Sequence, residues 1–203
     1  AGTGTTVALF ALANHNMSLS ATVRLTGSNN NWASTAYDSG TVNAFPTGTT
    51  AASRKRHRWT WWHRLSTPTA CGQWRIEISD ASNPAGYVSA GRLLAAQSLW
   101  QPTINMKEGA QLGLEGGAEV QTALSGAEWF NEREAFRVAQ FNLDAPTQEM
   151  LASGMDLQAC AAGTQRELLF VYDPADTEHA VRRTIFGRLR KLSPIEEPYF
   201  GRL

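Results

Sequence analysis

The 203-residue sequence has few of the residues on which several protein classes depend. It contains two cysteines and four histidines, and its longest uninterrupted apolar run is Val7–Ala13. A membrane helix needs about 20 apolar residues, and a small disulfide scaffold needs more cysteines. No membrane insertion and no disulfide framework are therefore predicted. Because no basic stretch precedes Val7–Ala13, this run does not indicate a signal peptide.

Charge is also scarce, and it is balanced. Charged residues make up 18% of the chain, and Lys+Arg equals Asp+Glu at 18 each, so the formal net charge is zero. A chain without excess positive charge does not attract nucleic acid or anionic lipid through its overall field. No specific nucleic-acid binding is predicted. A surface with little charge favours association between protein molecules, which is a first indication of an assembly component.

No residue pattern predicts catalytic, cofactor or metal chemistry. The histidines are not accompanied by a Gly-x-Ser-x-Gly elbow. Cys71 and Cys160 lie far apart and indicate two buried or idle thiols rather than a zinc site. The Gly113–Gly117 stretch lacks the spacing and the strand–turn–helix context of a dinucleotide loop. We expect that the chain is not an enzyme and that it binds no cofactor and no metal.

The sequence does contain strand-like periodicity. Val7–Ala13 is apolar at every position, which is typical of a central strand covered on both faces. Residues 21–26 and 74–79 alternate between apolar and polar side chains, and residues 87–94 indicate another strand. Short strands separated by loops rich in Gly, Asn and Ser predict a mainly β fold built as a sandwich.

We place a domain boundary near Trp100, which divides the chain into residues 1–98 and 99–203. The second part is predicted to contain antiparallel strands and one flanking α-helix at about residues 146–161. Pro146 suits the first turn of that helix, and Gly163 is placed to end it. The strand candidates in this part are residues 103–107, 119–124, 134–143, 167–172 and 181–189.

The least regular stretch lies between Phe45 and Pro68, and we interpret it as a long loop or insertion. Its arginines could contact phosphates and its tryptophans could stack on bases or sugars. Alternatively, the tryptophans pack locally or against a neighbouring subunit, with arginine stacked on them. The candidate partner or glycan contacts are Trp32, Arg54, Arg56, Arg58, Trp59, Trp61 and Trp62.

Many segments resemble minor tail proteins of tailed bacteriophages, over nearly the whole chain. In the first half they are Val7–Ser18, Ala21–Leu25, Tyr37–Gly40, Trp74–Ile78, Asn83–Val88 and Gly91–Leu93. In the second half they are Trp100–Pro102, Ile104–Met106, Gly109–Ala110, Arg137–Phe141, Gly187–Leu189, Ser193–Glu196 and Pro198–Arg202. The basic stretch Arg54–Arg64 does not match this family.

The resemblance implies a galactose-binding-like jelly roll over residues 1–98, lacking its N-terminal strands, and a distal-tail-type β-barrel or sandwich over residues 99–203. It implies a structural component of a tail tip or baseplate that forms a ring, a hexamer or trimer, at the distal end of the tail. The implied partners are copies of itself and the tube, hub and fibre proteins. The implied location is the virion tail, after assembly in the cytoplasm of the bacterial host. The alternative function is a carbohydrate-binding module that contacts host surface glycans.

Overall fold

The structure is a computed structural model that describes residues 4–52, 59–103, 106, 109–116, 119–131, 135–142, 149 and 165–190. The strands of the first half are β1 (Thr5–Ala13), β2 (Thr22–Ser28), β3 (Tyr37–Asn43), β4 (Trp61–Cys71), β5 (Gln73–Ser79) and β6 (Arg92–Ala96). Those of the second half are β7 (Gln111–Glu115), β8 (Glu119–Thr122), β9 (Glu128–Asn131), β10 (Phe136–Gln140), β11 (Glu167–Val171) and β12 (Thr184–Arg188), with a short helix α1 (Ala180–Arg183) before β12. The chain is mainly β, which confirms the predicted fold class.

Two three-stranded antiparallel sheets form a sandwich in the first half of the chain. One sheet has the strand order β4-β1-β6 and the other has the order β3-β2-β5. Their inner faces share one apolar core, in which the rings of Phe10 on β1 and Trp74 on β5 lie 4.9 Å apart. Face-to-face packing of two antiparallel sheets is the predicted sandwich architecture.

The central strand β1 is buried on both faces. Every residue from Val7 to Ala13 is at most 6% exposed. Leu12 lies opposite Trp61 of β4 on one side and opposite Leu93 of β6 on the other. The prediction of a strand covered on two sides is confirmed. Because β1 has no polar face to turn toward water, it must lie in the interior, and its neighbours are arranged around it.

The strands β2 and β5 alternate as their sequences predict. Val23 and Leu25 on β2 are fully buried, and Ile76 on β5 packs against the same core. Arg24 points away from the core and forms a bidentate pair with Asp38 of β3, at 3.0 and 2.6 Å. Hydrogen bonding to Arg24 lowers the pKa of Asp38 to about 2. The outer face of this sheet is therefore polar and carries paired charges.

The strand β4 begins within the stretch that the sequence indicates as a long loop, and for residues 61–68 that interpretation is wrong. Opposite β1, the register passes from Val7↔Thr69 to Leu9↔Arg64, so residues 65–68 form a bulge. The bulge disrupts the two-residue period that would have marked a strand. Pro68 lies within it, on an edge strand, where its missing N–H removes no bond from the ladder.

The chain divides into two compact units. One contains residues 1–100 and Glu167–Arg188, and the other contains residues 101–166 and 189–203. The stretch Glu167–Arg188 therefore groups with the first unit, whereas the sequence places it within 99–203. Its helix α1 contributes Ala180 and Val181 to the apolar core of the first unit.

In the second unit, the described strands form two separate antiparallel pairs, β7 with β10 and β8 with β9. Neither pair closes into a barrel within the residues that the structure describes. The predicted helix at residues 146–161 lies, apart from Glu149, outside the described residues.

Replacing Val181 with aspartate should destabilise the first unit, because Val181 is 4% exposed and the new carboxylate would be buried without a partner. We expect a loss of about 3 kcal/mol or more in the free energy of unfolding. The measurement is urea denaturation followed by circular dichroism. Arg182→Asp, at the exposed neighbouring position, is the matched control. Equal small effects of both substitutions would contradict the placement of α1 in the core.

Candidate interaction surfaces

Trp59 and Trp61 belong to the core of the sandwich. They are 6% and 2% exposed. The Trp59 indole N–H donates to the carbonyl of Ala44 at 2.7 Å, and the Trp61 ring stacks on His63 with an angle of 10° between the planes. A ring needs an open face to stack on a base or a sugar. The candidate surface role of these two residues is therefore corrected, and local packing is the alternative that the structure shows.

The rest of the basic aromatic stretch offers little exposed aromatic surface. Trp62 is half-buried and packs against the same core as Trp61. Its buried indole nitrogen makes no hydrogen bond to any residue that the structure describes. Arg54, Arg56 and Arg58 lie outside the described residues. Their candidate role in partner or glycan contact stays a prediction.

Trp32 lies in a tightly bonded loop after β2. Asn31 and Trp32 both have positive φ angles, 52° and 68°, a conformation that a bulky side chain rarely adopts. The Ser28 hydroxyl stabilises it by accepting a hydrogen bond from the Trp32 backbone N–H at 3.1 Å. The Arg75 guanidinium lies 4.1 Å from the Trp32 ring centroid, so one face of this ring is covered by a cation–π contact.

The predicted contact tryptophans do not form one surface. Trp59 and Trp61 lie inside the core and Trp62 is half-buried against it, whereas Trp32 lies in a loop under Arg75. Among the described ring contacts, none joins Trp32 to the other three.

A hydrogen bond links the two sheets through a half-buried histidine. The phenol oxygen of Tyr37 on β3 and Nε2 of His63 on β4 lie 2.7 Å apart and share a hydrogen bond. Burial lowers the pKa of His63, because a protonated ring would lose its hydration. His63 therefore favours the neutral state.

A cleft of about 610 Å³ lies where the β4–β5 turn meets the start of β1, the loop after β2 and the end of β6. Its polar lining is formed by Thr5, Asn29, Asn31, Gln73 and Gln97, and its apolar lining includes Phe10 and Trp74. None of the lining residues that the structure describes carries a charged side chain. Sequence analysis named none of these residues as a candidate contact, because they come from four separate segments.

The walls of the cleft are connected by the side chain of Asn29. Its amide nitrogen donates to the carbonyl of Ala70 at 3.1 Å, and its carbonyl oxygen accepts from the N–H of Gly72 at 2.7 Å. Gln73 then donates from Nε2 to Oδ1 of Asn31 at 3.0 Å. These bonds join the loop after β2 to the β4–β5 turn and so hold two walls of the cleft together.

The second unit exposes large apolar side chains on its strand pairs. On the β8–β9 hairpin, Trp129 is 70% exposed and Phe130 is 63% exposed. Phe130 lies opposite Val120 and Trp129 lies opposite Gln121, so the two aromatic rings lie on opposite faces of the hairpin. On the β7–β10 pair, Leu114 is 58% exposed.

The described residues contain no group of three or more His, Cys, Asp and Glu side chains that could hold a metal ion. In the same part of the chain, no helix is both long enough and apolar enough to cross a membrane. Comparison of the chain with protein-family models, curated proteins and solved structures finds no match.

Replacing Trp61 with alanine should lower the free energy of unfolding by roughly 3–5 kcal/mol, because a fully buried ring would leave a cavity. Arg64→Ala, at an exposed position of the same strand, should change it by less than about 0.5 kcal/mol. Equilibrium denaturation in urea measures both. A Trp61 variant as stable as the Arg64 variant would show that the ring is outside the core.

Acidification should weaken the sandwich through His63. Folding lowers the pKa of His63. As the pH drops from about 7 through the ordinary histidine pKa of about 6.5, His63 therefore takes up a proton in the unfolded chain before it does so in the folded chain. The free energy of unfolding falls over this pH range. In His63→Gln this part of the pH dependence should disappear. Stability measured at pH 7.5 and pH 5.5 tests the effect. An unchanged pH dependence in the variant would contradict it.

Proposed function

We propose that the chain is a structural component of a bacteriophage tail tip or baseplate, which assembles as a ring at the distal end of the tail and links the tube to the hub or fibres. The resemblance of the sequence to minor tail proteins, over nearly the whole chain, supports the tail assignment. The observation that carries the assembly role is the exposure of Trp129 and Phe130 on the β8–β9 hairpin.

The β8–β9 hairpin by itself is a poor candidate for an independent structure. All of its strand residues are exposed, and a lone two-stranded hairpin is marginally stable in water. Its large apolar side chains lie on both faces, so covering one face alone would leave the other in water. Insertion between neighbouring subunits would cover both faces and stabilise the pairing.

The charge of the chain is compatible with repeated contacts between copies. Because the formal net charge is zero, approaching copies do not repel each other through their overall field. A contact between two different surfaces of the same chain, repeated around an axis, closes into a ring when the rotation allows it. Trp and Phe are enriched at the centre of such interfaces.

Sedimentation equilibrium of the full chain, over a range of concentrations, should show a closed oligomer. The double substitution Trp129→Ser and Phe130→Ser should weaken assembly by roughly 30-fold or more, because loss of a buried aromatic anchor costs about 2 kcal/mol. Tyr87→Ser, which removes an exposed aromatic ring from the first unit, is the control and should leave assembly unchanged.

Electron microscopy of the native particle tests the tail assignment separately. The proposal expects density for this chain in a ring at the distal end of the tail, with the β8–β9 hairpin at a subunit contact. A chain that stays monomeric at high concentration and occupies no ring in the particle would overturn the proposed function.

A further inference from the structure

We propose that the free edge of β5 binds the β5 edge of a second copy of this chain. The two strands pair antiparallel around a two-fold axis at Ile76, so that two three-stranded β3-β2-β5 sheets join into one continuous sheet. β5 lies at the end of its sheet, and no described strand pairs with its other edge. The proposal is independent of the proposed assembly role, because β5 and the β8–β9 hairpin belong to different units.

β5 is the most regular of the four edge strands of the sandwich. Its register with β2 runs without interruption over all seven residues, from Ser28↔Gln73 to Thr22↔Ser79. The other edges are irregular or short, since β3 and β4 each contain a register shift and β6 has five residues. Bulges, prolines and short strands stop an edge from pairing with another chain. β5 has none of these features, so its backbone N–H and C=O groups can continue the sheet.

The charges of β5 are self-complementary in one register. Arg75 and Glu77 lie on either side of Ile76, with side chains 49% and 48% exposed. When two β5 strands run antiparallel with Ile76 opposite Ile76, Arg75 of each copy lies opposite Glu77 of the other. Opposite charges directly across a strand pair stabilise it, and like charges destabilise it. A shift by two residues in either direction would place Arg75 opposite Arg75 or Glu77 opposite Glu77, so the charges select this register.

The inward-facing residues of β5 match in the same register. Trp74, Ile76 and Ile78 are partly buried and pack against the core of the sandwich. Across the proposed axis, Ile76 lies opposite Ile76, and Trp74 of each copy lies opposite Ile78 of the other. A neighbouring β5 would therefore continue the apolar layer from one copy to the next. A shift by one residue would place these side chains opposite the polar outer positions instead.

A second copy is the occupant that this pattern favours. A different protein would need an extended segment with an acidic residue opposite Arg75 and a basic residue opposite Glu77. A copy of β5 supplies both, and two-fold symmetry makes each pair twice. The formal net charge of zero adds no overall repulsion between the copies.

Sedimentation equilibrium of the full chain carrying Trp129→Ser and Phe130→Ser measures this contact while the hairpin contact is weakened. A dimer should form with a dissociation constant of about 0.1 mM or lower, as for a weak contact of small area. Arg75→Glu should weaken dimerisation by roughly tenfold or more, because two attractive pairs become repulsive. Arg64→Glu makes the same charge change at an exposed position of β4. It is the matched control and should leave dimerisation unchanged.

Mixing two variants separates the proposed contact from local damage to the strand. Glu77→Arg should weaken dimerisation as Arg75→Glu does. An equimolar mixture of the two variant chains should recover dimers, because two negative charges on one copy then face two positive charges on the other. Damage within one copy, which the melting temperature of each variant reports, would not be repaired by mixing.

Cysteine cross-linking tests the register directly. Gln73 of one copy lies opposite Ser79 of the other, whereas the two Gln73 positions lie six residues apart along the strands, or about 20 Å. A disulfide needs Cα atoms within about 7 Å. With Cys160→Ser as the background, a mixture of Gln73→Cys and Ser79→Cys chains should form a disulfide under mild oxidation. The Gln73→Cys chain alone should form little.

Three results would overturn the proposal. The first is a chain that stays monomeric at about 1 mM. The second is dimerisation that Arg75→Glu weakens no more than Arg64→Glu does. The third is a pair of mixed chains that neither recovers dimers nor forms the disulfide. The contact of the β8–β9 hairpin is tested separately, by the effect of its own substitutions on the otherwise unchanged chain.

Discussion

The burial of β1 on both faces is the constraint on which the rest of the structure depends. A strand whose residues from Val7 to Ala13 are all buried cannot lie at a surface. It needs paired strands on both sides, which β4 and β6 supply, and it needs a second layer, which the β3-β2-β5 sheet supplies. The cleft depends on the same arrangement, because its walls are the ends of these strands and the turns that follow them.

The central strands of the first unit and the β8–β9 hairpin of the second differ in how completely their apolar side chains are buried. In the first unit, Trp61, Met17, Leu25 and Val23 are almost fully buried, and α1 adds Val181 to the same core. In the second, the β8–β9 hairpin exposes Trp129 and Phe130. The exposed hairpin is the feature on which the proposed assembly role depends.

The sequence was informative where burial imposes a simple period. The fully apolar β1 and the alternating β2 and β5 were predictable, because each position lies clearly inside or outside. The strand β3 was not predictable from the sequence, because Tyr37–Asn43 contains Asp, Ser, Gly and Asn, which are typical of turns. The strand β4 was not predictable either, because its bulge at residues 65–68 breaks the two-residue alternation of apolar and polar side chains. The start of β6 was placed too early because residues 87–89 hydrogen bond to Asn16 instead of joining a sheet.

The candidate sites were harder to predict for the same reason. The sequence placed tryptophans together because they are adjacent in the chain, but alternation along β4 turns Trp61 into the core and leaves Trp62 half-buried. The cleft depends on distant residues such as Thr5, Asn31 and Gln97, whose proximity only the sheet order produces.

Hydrogen–deuterium exchange of the full chain at low concentration tests the central claim most directly. The account predicts that the amides of β1 exchange slowest, near the rate set by global unfolding, and that those of β8 and β9 exchange fast. Exchange of β1 as fast as that of the hairpin would contradict it.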